Sequence, residues 1–137
     1  MTAYAIATLK PPAVLHDEVL DYMERIQSTL DPFEGRFLVH GAPTMEVREG
    51  SWDTALVIIG FPSLDHARRW YDSDAYQALL PLRTRHMEGD AILIDGVAPG
   101  YDPAATAAAI REAQSSAPAP APATPTGQET PVPPMPQ

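Results

Sequence analysis

The chain has no cysteine among its 137 residues, which excludes disulfide bonds and thiolate metal ligands. It also has no apolar run near the roughly 18 residues that a membrane-crossing helix needs. Basic residues are scarce, nine Lys and Arg against 18 Asp and Glu, for a formal net charge of −9. A surface of that balance repels phosphate backbones and anionic lipid, so neither a nucleic acid nor a membrane is expected as a partner. Glycine-rich phosphate loops, dinucleotide fingerprints and nucleophile elbows are missing, which removes the support for nucleotide-dependent chemistry. None of the four histidines falls in an HxH or HxxxH spacing, so no metal and no cofactor is expected. The first residues, MTAYAIATLKPP, lack a basic region followed by a long apolar stretch, and the expected location is the cytoplasm.

Residues are distributed in two unlike parts. After Val97 the composition turns to Ala, Pro, Ser and Thr, and Ser115 to Gln137 holds eight prolines and no aromatic residue. Such a segment buries too little apolar surface to offset its ordering entropy, so residues 98–137 are expected to be a mostly disordered tail. Asp102 and Pro103 can cap and start a short alanine-rich helix there, of marginal helicity. Residues 1–97 form the domain.

Within that domain the periodicities alternate. Tyr4 to Lys10 reads as a strand, stopped by Pro11 and Pro12. Asp17 to Leu30 reads as a helix whose apolar stripe is Val19, Met23, Ile26 and Leu30. Arg36 to His40 and Thr54 to Phe61 read as strands, and Met45 to Arg48 extends the hairpin between them. A helix is capped by Ser63 and its continuation by Ser73 or Asp74, with Pro81 expected to kink or restart it near Leu80. Ala91 to Val97 closes the domain as a fourth strand. Strand, helix, strand, strand, helix, strand is the ferredoxin-like α+β order, an antiparallel sheet with both helices on one face. Yet Leu56 to Ile59 and Ile92 to Ile94 are apolar at every position, where a sheet wetted on one side alternates. Both faces are therefore expected to be buried, the second against another copy of the chain in a two-fold homodimer.

The strand YAIATLK, the stretch GRFLVHG, the segment FPSLDHARRWYDSDAYQALLPLR and the last strand AILIDGV together resemble the domain of unknown function 1330 family, over residues 3–97. Most of the specificity lies in Ala67, Trp70, Tyr71, Ser73, Tyr76, Leu79 and Arg83. The resemblance implies a dimeric α/β barrel, in a superfamily whose other branches include cofactor-independent monooxygenases, polyketide cyclases, muconolactone isomerases and haem-degrading enzymes. It implies an architecture and a pocket but no particular reaction. Where the family has a basic or apolar residue, this chain has His40.

Candidate site residues come from single positions. Arg83 rides the stripe Tyr76, Leu79, Leu80, Arg83, His86, and a guanidinium there needs a partner. Either it meets an acid or a helix carboxyl end of its own chain, or it pairs with a carboxylate, phenolate or enolate of a small substrate. His40, at the end of its strand, is the best candidate general base, and strand alternation places it with Leu38 and opposite Phe37. Trp70, Tyr71 and Tyr76 form an aromatic cluster that either packs the core or walls a pocket, and Trp52 precedes the third strand where a loop reaches a barrel mouth. His86 is a further candidate for substrate contact, while His16 and His66 read as solvated. Two functions fit. One is a small enzyme without cofactor acting on a hydrophobic weak acid, with His40 and Arg83 catalytic and Trp52, Trp70, Tyr76 and His86 binding substrate. The other is a noncatalytic homodimer that binds a small hydrophobic or aromatic molecule or a partner, with the PxxP of Pro131 to Pro134 as a docking segment.

Overall fold

The computed structural model describes residues 2–42 and 44–116. The chain divides into two compact units, Met1–Val97 and Ala98–Gln137. The first contains strand β1 (Ala3–Lys10), helix α1 (Asp17–Leu30), a short 3-10 turn (Asp31–Phe33), strands β2 (Arg36–His40) and β3 (Ala55–Phe61), helices α2 (Leu64–Asp72) and α3 (Asp74–Thr84) and strand β4 (Glu88–Asp95). The sheet is antiparallel with strand order β2-β3-β1-β4, the ferredoxin-like arrangement expected from the element order.

Chain chemistry accounts for the boundaries. His16, not an acid or hydroxyl residue, caps α1 by accepting the Glu18 amide at Nδ1, while Asp17 and Glu18 complement the dipole in the first turn. Ser63 and Ser73 cap α2 and α3, their hydroxyls accepting from the amides of His66 and Tyr76. The second helix thus breaks at Ser73, and α3 runs unbroken through Pro81. The expected break at Leu80 does not occur: the lost donor would have served the carbonyl of Gln77, an exposed residue that water can satisfy. Residues 44–48 form no strand, and β4 begins three residues earlier than the apolar run suggests.

The core lies between the helices and one face of the sheet. Ala3, Ala5 and Ala7 pair across β1 with Phe61, Ile59 and Val57 on β3 and with Asp95, Leu93 and Ala91 on β4. The small side chains of β1 leave room for α1 and the α2–α3 pair above them. On α1 the buried residues are Val19, Tyr22, Ile26, Thr29 and Leu30, and Met23 is 39% exposed. The stripe is therefore rotated by one position from the purely apolar one: Tyr22 and Thr29 belong to it because their hydroxyls find buried partners. Trp70 Nε1 donates to Thr29 Oγ1 at 3.0 Å, and Thr29 donates to the Ile26 carbonyl at 2.7 Å. Gly35 is required by proximity, since a Cβ there would stand 2.6 Å from the Phe61 ring and 2.7 Å from Leu30 Cδ2.

The opposite face carries Ile6, Ile58 and Ile92 in register, with Ile94 beside Tyr4. In a single chain Ile92, Ile94 and Leu38 are left exposed, in contrast to the burial on both faces that their sequence pattern implies. No helix among the described residues is long and apolar enough to cross a membrane.

In the second unit, helix α4 (Pro103–Ser116) follows an Asp102 cap whose Oδ1 accepts the Ala104 amide at 3.0 Å. It is a full 14 residues long and buries none of them, more helix than its composition promised. The expected disorder beyond it and the PxxP segment lie outside the described residues.

Candidate functional site

A cavity of about 800 Å³ opens between the sheet and the helices, within the size range of small-molecule sites. Ala5, Ala7, Val57 and Leu93 line its floor, Val19, Tyr22 and Ile26 of α1 one wall, and Trp70, Tyr76 and Arg83 the other. Leu9, Pro11, Leu15, His40, Gly41 and Met87 complete the lining, with Pro11, His40 and Gly41 exposed to solvent. Among the described residues lining it there is no Asp, Glu or Lys, and Arg83 is the one guanidinium.

Arg83 is half-buried. Its guanidinium carbon lies 5.5 Å from the centre of the Tyr22 ring, a cation–π distance. No carboxylate of the described residues makes an ion pair with it. Burial works against its charge, but the neighbouring oxygens of Tyr22 and Tyr76 outweigh that and hold its pKa above the usual value. The two phenols bond to each other, hydroxyl to hydroxyl at 2.7 Å, with their rings edge to face. Both lie near the guanidinium. Burial first, then the Tyr22 neighbour, pushes the Tyr76 pKa upward, so Tyr76 stays protonated at any physiological pH.

His40 enters the same cavity by a route that strand alternation does not reveal. A β-bulge between Phe37 and Val39 shifts the register, so Phe37 opposes Ile59 and His40 opposes Val57. Both partners face the helices. His40 therefore lies with Phe37, their ring centroids 5.1 Å apart, and not with Leu38 as alternation predicts. The bulge moves His40 from the side of Leu38 to the side of Phe37 and so into the cavity lining.

Two candidates are elsewhere. Trp52 is 47% exposed and lies outside the cavity lining, because the segment before β3 is irregular and does not fold over the mouth. His86 is also outside the lining. Its Nε2 meets Glu18 Oε1 at 2.8 Å and its ring stacks on His16, centroids 3.7 Å apart and 7° from parallel. Arg85 approaches the same carboxylate oxygen at 3.5 Å. The hydrogen bond from His86 outweighs the desolvation of Glu18 and, with Arg85, holds its carboxyl below the usual range. His16 is thus a cap and a stacking partner, and His66 bonds to Ser63 Oγ at 2.6 Å and approaches Glu34 at 3.6 Å; neither is simply solvated.

Donor atoms of His16, Glu18 and His86 lie within 4.8 Å of one another, a grouping invisible in sequence spacing. The stack argues against a shared ion in this arrangement. An ion held by both rings would lie about half the ring spacing out of each imidazole plane, away from the in-plane lone pairs that ligate metals. The His16 Nδ1 lone pair is moreover occupied by the Glu18 amide.

Trp70 and Tyr76 stand in the cavity wall as proposed from sequence, and they are also core residues, 3% and 2% exposed. Tyr22 is the residue that sequence reasoning missed. Its signal was present in the spacing Val19, Tyr22, Ile26, Thr29, at three, four and three residues.

The sequence pattern of the family described as Domain of unknown function (DUF1330) matches residues 2–97, and the chain belongs to that family. Comparison with curated proteins gives no match. Among solved structures, the chain is similar to a protein of unknown function from Rhodopseudomonas palustris, at 14% identity and TM-score 0.49 over 72% of this chain and 84% of that one. It is similar to SnoaB, a cofactor-independent oxygenase from Streptomyces nogalater, at 13% identity and TM-score 0.44 over 74% and 96%. It is also similar to a dimeric ferredoxin-like protein of unknown function from Jannaschia sp. CCS1, at 12% identity and TM-score 0.48 over 70% and 100%. At these values none of the three bears on activity.

Proposed function

We propose that residues 1–97 form a homodimeric enzyme that binds a hydrophobic weak acid as its anion and transforms it by proton transfer, cyclisation or oxygenation of an activated enolate. The observation that carries this reading is the cavity itself, apolar on most sides, with one guanidinium and no carboxylate among the described residues that line it. A cation in an apolar enclosure without an acid among the described residues is poised for an acid from outside. In this reading Arg83 holds the anion, Trp70 and Tyr76, packed on each other, form an aromatic wall for a flat ring, and His40 at the rim accepts or returns the proton. A purely binding role accounts less well for two titratable groups, His40 and Tyr76, on the same cavity as the cation.

The dimer rests on the outer face of the sheet, where Ile6, Ile58, Ile92, Ile94 and Leu38 form a continuous apolar surface. Light scattering on a sizing column is expected to give twice the chain mass, and Ile58→Asp to give the monomer. A wild-type monomer at micromolar concentration overturns the dimer. For the site, crystals soaked with aromatic acids and polyketide-like phenols are expected to show an anionic oxygen at Arg83. If Arg83→Ala and His40→Ala both retain full affinity and turnover, the site is wrong.

A further inference from the structure

We infer that the Tyr22–Tyr76 phenol pair is the second half of the anion site at Arg83, and that the three together select a planar phenol or enol bound as its oxyanion. This rests on the reading of the cavity as an acid-binding site and names the acid.

Proton accounting leads there. Two phenols have two O–H protons. One lies in the 2.7 Å bond between the hydroxyls. The other cannot go to Arg83, because a guanidinium only donates. Among the described residues no further hydrogen-bond acceptor meets either hydroxyl, and both side chains line the cavity. The second O–H is left to point at a ligand. Guanidinium and phenol then present two kinds of donor to one place, and among the described residues no acidic side chain competes for them.

The two donors differ in what they recognise. The guanidinium favours any anion, and its planar fork is filled by the two oxygens of a carboxylate. A phenol hydroxyl both donates and accepts. It accepts from a ligand O–H while the ligand is neutral and donates to the oxygen once the proton has left for water, with the stronger, charge-assisted bond in the second state. That exchange is useful for a single-oxygen acid that changes protonation in the site, a phenol or enol, and is superfluous for a carboxylate already ionised in water. Ring packing gives the site an aromatic wall against which a flat body can lie: Trp70 and Tyr76 are 4.2 Å apart between centroids, Tyr71 and Tyr76 5.4 Å.

The test uses the full chain and three probes: 4-nitro-1-naphthol, whose ionisation is read by its visible absorbance, its methyl ether, and 1-naphthoate. The wild type is expected to lower the apparent pKa of the bound nitronaphthol. Tyr22→Phe together with Tyr76→Phe is expected to weaken the nitronaphtholate about ten-fold and raise the bound probe's pKa by about one unit, the same factor on the linkage scale. The ether and 1-naphthoate change less than two-fold. Tyr22→Phe alone, which keeps the Tyr76 hydroxyl, moves both readings in the same direction by less and serves if the double variant does not fold. Equal losses on all three probes, or an unmoved probe pKa, overturn the inference. If Arg83→Gln leaves nitronaphtholate and naphthoate affinity intact, the acid-site reading falls; a large Arg83 effect without a phenol effect removes only the phenol pair.

Discussion

Two clusters sit close together, one where the start of α1 meets the chain just past α3 and the other between the two helices, and they are built on opposite principles. Toward the start of α1, Glu18 meets His86 at 2.8 Å and Arg85 at 3.5 Å, and His86 stacks on His16. One turn further along α1, and within α3, Arg83 faces Tyr22 and Tyr76 and, among the described residues, no acid. The first cluster closes its charge within the chain, acid against bases, at a partly exposed edge. The second leaves a half-buried cation beside phenols that cannot neutralise it at neutral pH. The difference teaches where an external anion belongs: a satisfied ion pair has little to offer a ligand, whereas a guanidinium deprived of a carboxylate has nearly its whole charge to offer.

The comparison breaks most visibly at Arg83. Arg83→Met is expected to weaken an aromatic oxyanion about 100-fold, in keeping with the roughly 1.5–3 kcal/mol of a charged hydrogen bond, while His86→Gln changes it less than two-fold. A fluorescence or absorbance titration decides it, and comparable losses in the two variants erase the distinction between the clusters. The unliganded Arg83→Met protein is also expected to melt no lower than the wild type, since an apolar side chain of similar length replaces a partly desolvated charge.

Next in size is Tyr76→Phe. It removes one partner of a buried hydroxyl pair and is expected to cost about 1–2 kcal/mol in urea unfolding. The same residue sets an alkaline limit. With the folded pKa raised above the unfolded value, the native state holds the proton that the unfolded chain releases, so stability is complete below about pH 10 and falls as pH rises beyond it, by at most ~1.4 kcal/mol per unit. Tyr76→Phe is expected to flatten that alkaline fall; an unchanged slope places its origin elsewhere.

The smallest effect belongs to the closed cluster. The Glu18 carboxyl is lowered in the folded state, so its contribution is present above the ordinary carboxylate pKa and fades as pH falls through the folded value. Glu18→Gln is expected to lower the melting temperature slightly at pH 7, less so in high salt, and to match the wild type in acid. A difference that persists at low pH points to packing instead of charge.

Much of this was legible in the residues. The bounds of α1 and β2 follow from capping and periodicity, as do the two serine caps of the later helices. Most of the misreadings turned on contacts far away in sequence. Met23 looked more apolar than Tyr22, yet Tyr22 has Tyr76 to bond to, 54 residues on. Glu18 and His86 are 68 residues apart, so no local spacing announces them. His40 changed faces through one extra residue at Leu38, and a bulge depends on the partner strand as much as on its own sequence. Pro81 failed to break α3 because its unsatisfied carbonyl lies on the wet side.

By itself the sequence determined the order of elements, the serine caps of α2 and α3, the family and the presence of an arginine on an apolar stripe, because each depends on residues within a few positions or on the whole pattern of hydrophobicity. Only the tertiary structure decided what that arginine faces. The answer depends on the rotation of α1 about its axis and the register of β2, which packing sets across tens of residues, and it is two tyrosines and a ligand-sized cavity.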